Sequence, residues 1–222
     1  MPTRSRPAAL TVLLAATSAA APAHAQSAGS GEPGARHLLP RAEEVALARS
    51  AATSDVSDSA AVWVLSERGF EQAAPGTNGV ACFLSRDWLA SLEPICYDPE
   101  GAATIMRIAM RRNELLHQGV SVADADQRIA EAIATGELRL PTRPALAYMF
   151  SSAQRLISDD GRPVGAWHPH LMLYSPYLTA AGLGLGAEGA GGTAFVSDGG
   201  TPLAVLIVKV QEFVDPRPVA SR

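Results

Sequence analysis

The chain has 222 residues, with 18 basic and 22 acidic side chains and a formal net charge of −4. This acidic balance argues against a nucleic-acid-binding protein, because such proteins neutralise phosphates with basic patches. Lys209 is the single Lys, and the other basic residues are all Arg. Lys209 lies in none of the sequence contexts that Schiff-base enzymes, Ser–Lys hydrolases or phosphate-binding loops require, which excludes those classes.

Residues 1–25 have the organisation of a signal peptide. Two arginines come first, an apolar run follows over residues 8–21, and Ala23-His24-Ala25 is a small-x-small cleavage site. The run is shorter than the roughly 20 residues that a membrane-spanning helix needs. The sequence therefore predicts a periplasmic or secreted protein that begins at Gln26 and has no membrane span after cleavage.

The mature chain is long enough for one domain with a substantial core. Residues 26–36 are rich in Ser, Gly and Pro, which predicts a flexible lead-in. Residues 37–216 are expected to form a single α+β domain. Without the two leader arginines, 16 basic and 22 acidic residues give a net charge of −6.

Cys82 and Cys96 are the only cysteines. An even number of cysteines in an oxidising compartment predicts a disulfide. Closing a loop of about 15 residues stabilises a fold by roughly 3 kcal/mol in the chain-entropy model. Two alternatives stay open at this point, namely a pair of buried free thiols and a catalytic thiol.

The N-terminal part of the domain contains short elements. Pro40 followed by Glu43 and Glu44 favours the start of a helix. Asn78-Gly79 is a strong turn signal. In chain order we predict a helix over 41–52, a strand over 60–66, a hairpin of strands 70–73 and 80–84 around that turn, and a short helix over 86–92.

Apolar residues at helical spacing predict a long helix over 99–118, and Gly119 is a favourable residue just after its end. Ser121 with Asp124 three residues later resembles a capping box and starts a second helix, which runs to Thr135. The two helices are expected to form an αα-hairpin. Arg107, Arg111 and Arg112 could hold an anion, but a solvated helix face is the preferred interpretation.

The C-terminal part is predicted to be mainly strands. Strands are expected over 145–152, 171–174, 194–196 and 203–212, and the last is apolar on both faces, which indicates a covered central position. The Gly/Ala-rich segment 178–192 is interpreted as a surface loop, with a lid as the alternative. The predicted fold class is α+β, a mainly antiparallel sheet packed against the αα-hairpin and a short N-terminal helix.

The segment 167–177 concentrates the groups that are capable of chemistry. His168 and His170 lie two residues apart at a strand entry, about 7 Å from each other, so both imidazoles could reach one divalent metal ion. Glu114 and His117, three residues apart on the long helix, are the best candidates for the remaining ligands. No complete zinc-peptidase or cupin motif is present.

A Cys–His hydrolase with Cys82 as nucleophile is a further alternative. However, Cys82 lies in a predicted strand rather than at a helix start, and a disulfide would remove the thiolate. Since no catalytic constellation is complete, no residue is assigned a catalytic role.

The sequence therefore predicts an exported, soluble binding or accessory module whose small-molecule or protein partner is unassigned. The alternative is a metal-dependent hydrolase. In that case His168 and His170 would hold the ion, Glu114 or His117 would complete its coordination, and a metal-bound water would attack the substrate.

Overall fold

The structure, a computed structural model, describes residues 38–86, 91–157, 162–185 and 192–218. These ranges belong to one compact unit that spans residues 32–222. Its helices are α1 (Arg41–Arg49), α2 (Ser54–Ser57), α3 (Pro99–Ala103), α4 (Ile105–His117) and α5 (Val122–Ala134), with a short 3₁₀ helix at Ala181–Leu183. Its strands are β1 (Ala61–Ser66), β2 (Gly69–Ala74), β3 (Ala81–Ser85), β4 (Glu93–Tyr97), β5 (Ala145–Met149), β6 (Leu156–Ile157), β7 (Pro163–Gly165), β8 (His170–Tyr174), β9 (Ala194–Ser197) and β10 (Val205–Lys209).

Eight of these strands form one sheet in the order β2-β1-β3-β4-β5-β8-β10-β9. Every neighbouring pair is antiparallel except β1 and β3, which are parallel. Strands β6 and β7 form a separate two-stranded ribbon. The predicted α+β class with a mainly antiparallel sheet is therefore confirmed.

Helices cover the two faces of the sheet to different extents. On one face, which we call the α4 face, α4 and α5 bury aromatic and aliphatic side chains against the strands. Phe83 of β3 stacks on Tyr97 of β4 at the centre of this core, with 6.2 Å between the ring centres. On the opposite face, which we call the α1 face, α1 packs over β1, β3 and β4 with a smaller core. That core consists of Val45, Ala48, Ala51, Ala52, Ala60, Val62, Val64, Cys82 and Cys96.

A buried ion pair joins α1 to the end of β3. The side chains of Glu44 and Arg86 are only 0% and 2% exposed, and Arg86 Nη2 lies 2.9 Å from Glu44 Oε2. The other carboxylate oxygen accepts hydrogen bonds from the Leu65 amide of β1 and from Arg86 Nη1. Arg86 Nη1 also donates to the Leu84 carbonyl, and the Arg86 amide donates to Asn113 of α4. One network therefore holds elements from both faces of the sheet.

The capping prediction for α5 is confirmed. The Asp124 amide donates to Ser121 Oγ at 3.1 Å, and this hydroxyl donates in turn to the Asp124 carboxylate. Such a cap satisfies an amide that has no partner within the helix. Asp98 serves α3 in the same way, since it accepts a hydrogen bond from the Gly101 amide at 2.7 Å.

The predicted hairpin of strands 70–73 and 80–84 is wrong, because β1 lies between β2 and β3. The tight turn occurs earlier, between β1 and β2, where Gly69 adopts a φ of +107°. The Asn78 side chain donates to the Val56 carbonyl, and the Thr77 amide donates to the Ser59 carbonyl. These bonds hold the 75–79 segment against the residues before β1, so that it passes around the end of β1 instead of reversing the chain.

The predicted helix over 99–118 is two helices. Thr104 separates α3 from α4 with φ −129° and ψ −85°, and its hydroxyl donates to the Glu100 carbonyl at 2.6 Å. The structure also contains a short helix between the predicted helix 41–52 and the predicted strand 60–66, since α2 occupies residues 54–57. The predicted helix 86–92 and the loop 178–192 lie partly outside the described residues.

Replacing Arg86 tests the importance of the buried ion pair. We expect Arg86→Met to lower the free energy of unfolding by about 3–5 kcal/mol, because it leaves the Glu44 carboxylate buried without its cation. Urea denaturation measures this change. Arg41→Met is the control, since it removes the half-exposed Arg41–Glu71 ion pair and should cost at most about 1 kcal/mol. Equal, small losses in both variants would contradict this role of the ion pair.

Candidate functional site

The two histidines of the 167–177 segment lie in different environments. His170 is the first residue of β8, is buried, and lies directly opposite Met149 of β5 and Lys209 of β10. Its Nδ1–H donates to the His168 carbonyl oxygen at 2.7 Å. The His168 side chain is exposed just before the strand. The hydrogen bond assigns the proton of a neutral His170 to Nδ1, which leaves the Nε2 lone pair free to accept.

Burial lowers the pKa of His170 below its usual value of 6.5, and the hydrogen bond to the His168 carbonyl only partly opposes this shift. Burial acts in this direction because removing water disfavours the charged imidazolium. His170 is therefore neutral at physiological pH, the form in which an imidazole can accept a hydrogen bond or bind a metal ion.

Glu114, a predicted metal ligand, lies far from these histidines. Its Oε1 accepts a hydrogen bond from the Phe70 amide of β2 at 3.2 Å, and its Oε2 lies 3.9 Å from Arg111. Strand β2 is the outer edge of the sheet, five strand positions from β8. Neighbouring strands lie roughly 4.8 Å apart, so the two strands are about 24 Å apart. Glu114 of α4 therefore lies against the edge strand β2 and not beside His168 and His170.

His117 is the last residue of α4 and is half-buried there. Within the described ranges, no three His, Cys, Asp or Glu side chains are grouped closely enough to share a metal ion. The metal site at His168 and His170 stays a prediction, and the described part of the chain offers no third ligand for it.

Cys82 and Cys96 form a disulfide. The two residues lie directly opposite each other on β3 and β4, both fully buried in the core of the α1 face. The disulfide prediction is therefore confirmed in the structure. Since a disulfide sulfur is no thiolate, Cys82 cannot act as the nucleophile of a Cys–His hydrolase in this state.

The three arginines of the long helix have separate partners. The Arg107 guanidinium lies over the Trp63 ring, 4.9 Å from its centre, and Arg112 Nε donates to Asp126 of α5 at 2.7 Å. Arg111 lies near Glu114. The cleft between α4 and α5, of about 320 Å³, is lined by both cations and carboxylates, among them Arg111, Arg128, Glu131 and Glu137. These arginines therefore form no common anion site.

An exposed apolar surface lies at the end of the sheet where β5 and β10 finish and β8 begins. Val164, Trp167 and Phe213 are 54%, 45% and 46% exposed, although large apolar side chains are usually shielded from water. We call these three residues the Trp167 surface. They are half of the exposed large apolar residues within the described ranges, which also include Leu38, Tyr177 and Leu183.

Backbone hydrogen bonds anchor each of the three segments that carry the Trp167 surface. The Trp167 amide donates to the Gln154 side chain at 3.1 Å, and Val164 lies in the ribbon that β7 forms with β6. The chain is anchored before and after Phe213. The Val210 amide donates to the Pro169 carbonyl, and the Val214 amide donates to the Phe150 carbonyl. Trp167 lies in the predicted candidate segment 167–177, whereas Val164 and Phe213 lie outside the predicted strands and carry no local signal of this position.

No family model, curated protein or solved structure matches this chain. No helix of the described part combines the length and the apolar composition that crossing a membrane requires.

The lowered pKa of His170 predicts a loss of stability in acid. Below about pH 6.5 the unfolded chain takes up a proton at this residue while the folded protein does not, so a falling pH favours unfolding. Urea denaturation from about pH 8 to about pH 5 should show a weaker pH dependence for His170→Asn than for the natural chain. A native His170 resonance that titrates at or above pH 6.5 would contradict this expectation.

Proposed function

We propose that the protein is an exported binding or accessory module that acts in the periplasm or outside the cell, and that it binds its partner through the Trp167 surface. The observation that carries this proposal is the exposure of Val164, Trp167 and Phe213 at one end of the sheet. Large apolar side chains that are exposed at the same end of a sheet mark a candidate interaction site.

The framework behind this surface supports a binding role. Gln154 is buried and holds the Trp167 backbone, so the indole is presented from an anchored position. A large aromatic side chain with few rotatable bonds loses little conformational entropy when it is covered by a partner, which is why Trp is frequent among the residues that dominate binding. A pre-positioned Trp167 therefore favours recognition over a purely structural role.

The neighbours of Trp167 define the chemistry of a fitting partner. The exposed His168 side chain follows Trp167 directly and can donate or accept hydrogen bonds. The partner we envisage offers a flat apolar group to the indole and a polar group to the imidazole. A sugar ring or an apolar peptide side chain next to a polar group meets this description.

The disulfide supports export. Disulfides persist in oxidising compartments and are rare in the bacterial cytosol. Cys82 and Cys96 are buried and paired, as expected for a structural bridge. This agrees with the signal-peptide pattern at the N-terminus, which is an independent feature of the sequence.

Intact mass measurement tests the export proposal. When the full chain is produced in a bacterium, we expect the periplasmic or secreted fraction to contain residues 26–222 with the mass lowered by two hydrogens for the disulfide. Ala25→Arg is the control, because it removes the small residue before the cleavage site and should leave the leader attached. An uncleaved natural chain with two free thiols in the cytosol would refute export.

Site-specific photocrosslinking tests the binding surface. A benzophenone amino acid at position 167 should give a defined crosslinked product in exporting cells, and Phe213→Ala should reduce its yield. The matched control carries the same amino acid at Leu183, which is similarly exposed but follows the opposite end of β8. Identical products from both positions, or none from position 167, would argue against the Trp167 surface as the site.

A further inference from the structure

The stretch that follows β10 carries one of the three side chains of the Trp167 surface. This stretch is residues 211–217, which we call the strap, and it includes Phe213. Its backbone is held at Val214, whose amide donates to the Phe150 carbonyl at 2.7 Å and whose carbonyl accepts from the Ser152 amide at 3.0 Å. Five of the seven strap residues are exposed, and the other two are half-buried. The strap therefore buries little apolar surface.

Two contacts between exposed side chains also hold the strap. Ser152 Oγ donates to the Asp215 carboxylate, and the Arg217 guanidinium donates to both carboxylate oxygens of Asp58, the residue that follows α2. The shorter bond to Asp58 is 2.6 Å, and the Arg217 and Asp58 side chains are 50% and 57% exposed. Exposed ion pairs stabilise a fold only slightly, and dissolved salt screens them. The Asp58–Arg217 pair, which we call the latch, is therefore a weak attachment.

Trp167, in contrast, is anchored from the inside of the protein. Its amide donates to the side chain of Gln154, which is 6% exposed. Gln154 Nε2 donates to the Ser151 carbonyl at 3.0 Å, and the Ser151 hydroxyl lies 2.6 Å from the hydroxyl of Ser50, the residue that follows α1. Both serines are buried. Because buried polar groups lose their partners only at a high cost in free energy, this series of bonds keeps the Trp167 backbone in place.

The two aromatic residues of the surface are therefore held with unequal strength. Local opening of a protein begins in segments that bury few apolar side chains, and the strap meets this condition. We propose that the strap opens locally and thereby regulates the Trp167 surface, and that the latch sets the fraction of molecules in which the strap is closed. The closed strap holds Phe213 at the same end of the sheet as Trp167, whereas opening releases Phe213 from that position.

This regulation rests on the proposed function, because it concerns the same surface. A partner that contacts both Trp167 and Phe213 binds the closed form. Its apparent affinity therefore decreases in proportion to the fraction of closed molecules. A bound partner in turn keeps the strap closed, since binding to one of two states shifts the population toward that state.

Amide hydrogen exchange, followed by NMR on the purified exported protein, tests the opening without any partner. We expect the Val214 amide to be protected less than about 10-fold relative to an unstructured chain, because the opening of weakly packed segments has a free energy close to zero. The amides of β8, which lies between β5 and β10, should be protected far more strongly. Protection of Val214 above this limit overturns the proposal, since the strap would then be closed almost all the time.

Asp58→Asn tests the latch in the same experiment. Because it removes one charge of the exposed pair, the opening equilibrium constant measured at Val214 should rise about 2- to 5-fold. Added salt should raise this constant in the natural chain but not in the variant, since salt screens the ion pair. Asp55→Asn is the matched control, because it makes the same change at an exposed carboxylate of α2 and should leave the constant unchanged. Equal values for the natural chain and Asp58→Asn would refute the latch, and unchanged exchange in β8 shows that the variants are folded.

Photocrosslinking from position 167 separates the regulation from the proposed function. Asp58→Asn should lower the yield of the crosslinked product about 1.5- to 3-fold, in line with the smaller closed fraction, and Asp55→Asn should not. An unchanged yield from Asp58→Asn, in spite of more frequent opening, overturns the regulation but leaves the Trp167 surface as a binding site. If the natural chain gives no product at all, the proposed function fails together with the regulation that rests on it. The exchange rates then still decide whether the strap opens.

Discussion

The buried ion pair of Glu44 and Arg86 is the constraint on which the arrangement of the sheet and its helices depends. Two charges removed from water are tolerated only where each is fully paired and hydrogen-bonded. Glu44 meets this condition through Arg86 and the Leu65 amide, and the Arg86 main chain is held by Asn113. This network therefore ties helix α1 to strand β1, to the end of β3 and to helix α4.

The disulfide and the ion pair stabilise the same half of the sheet. Cys82 and Cys96 join β3 to β4 beneath α1, close in sequence to the ion-paired Arg86. The other half, from β5 to β9, ends at the Trp167 surface.

The local features of the fold could be predicted from local sequence. Which residues come together at the candidate site could not. The helix start at Ser121 and Asp124, the pairing of Cys82 with Cys96, and the α+β class were all foreseen, since each depends on neighbouring residues or on composition. The hairpin of 70–73 with 80–84 was not, because the Asn78 and Thr77 bonds to residues before β1 outweigh an ordinary turn signal. The spacing of His168 and His170 is typical of a pair of metal ligands. Strand order, which places β2 five positions from β8, keeps Glu114 away from them.

Local sequence patterns predict the signal peptide, a disulfide between Cys82 and Cys96, the main helices and the apolar strands β8 and β10. These follow from periodicity, capping and composition, which act over a few residues. Only long-range contacts place β1 between β2 and β3, hold Glu114 against the β2 edge, and put Val164 and Phe213 at the same end of the sheet as Trp167. Those outcomes depend on hydrogen bonds and ion pairs between residues far apart in the chain, and such contacts leave no periodic signal in a single sequence.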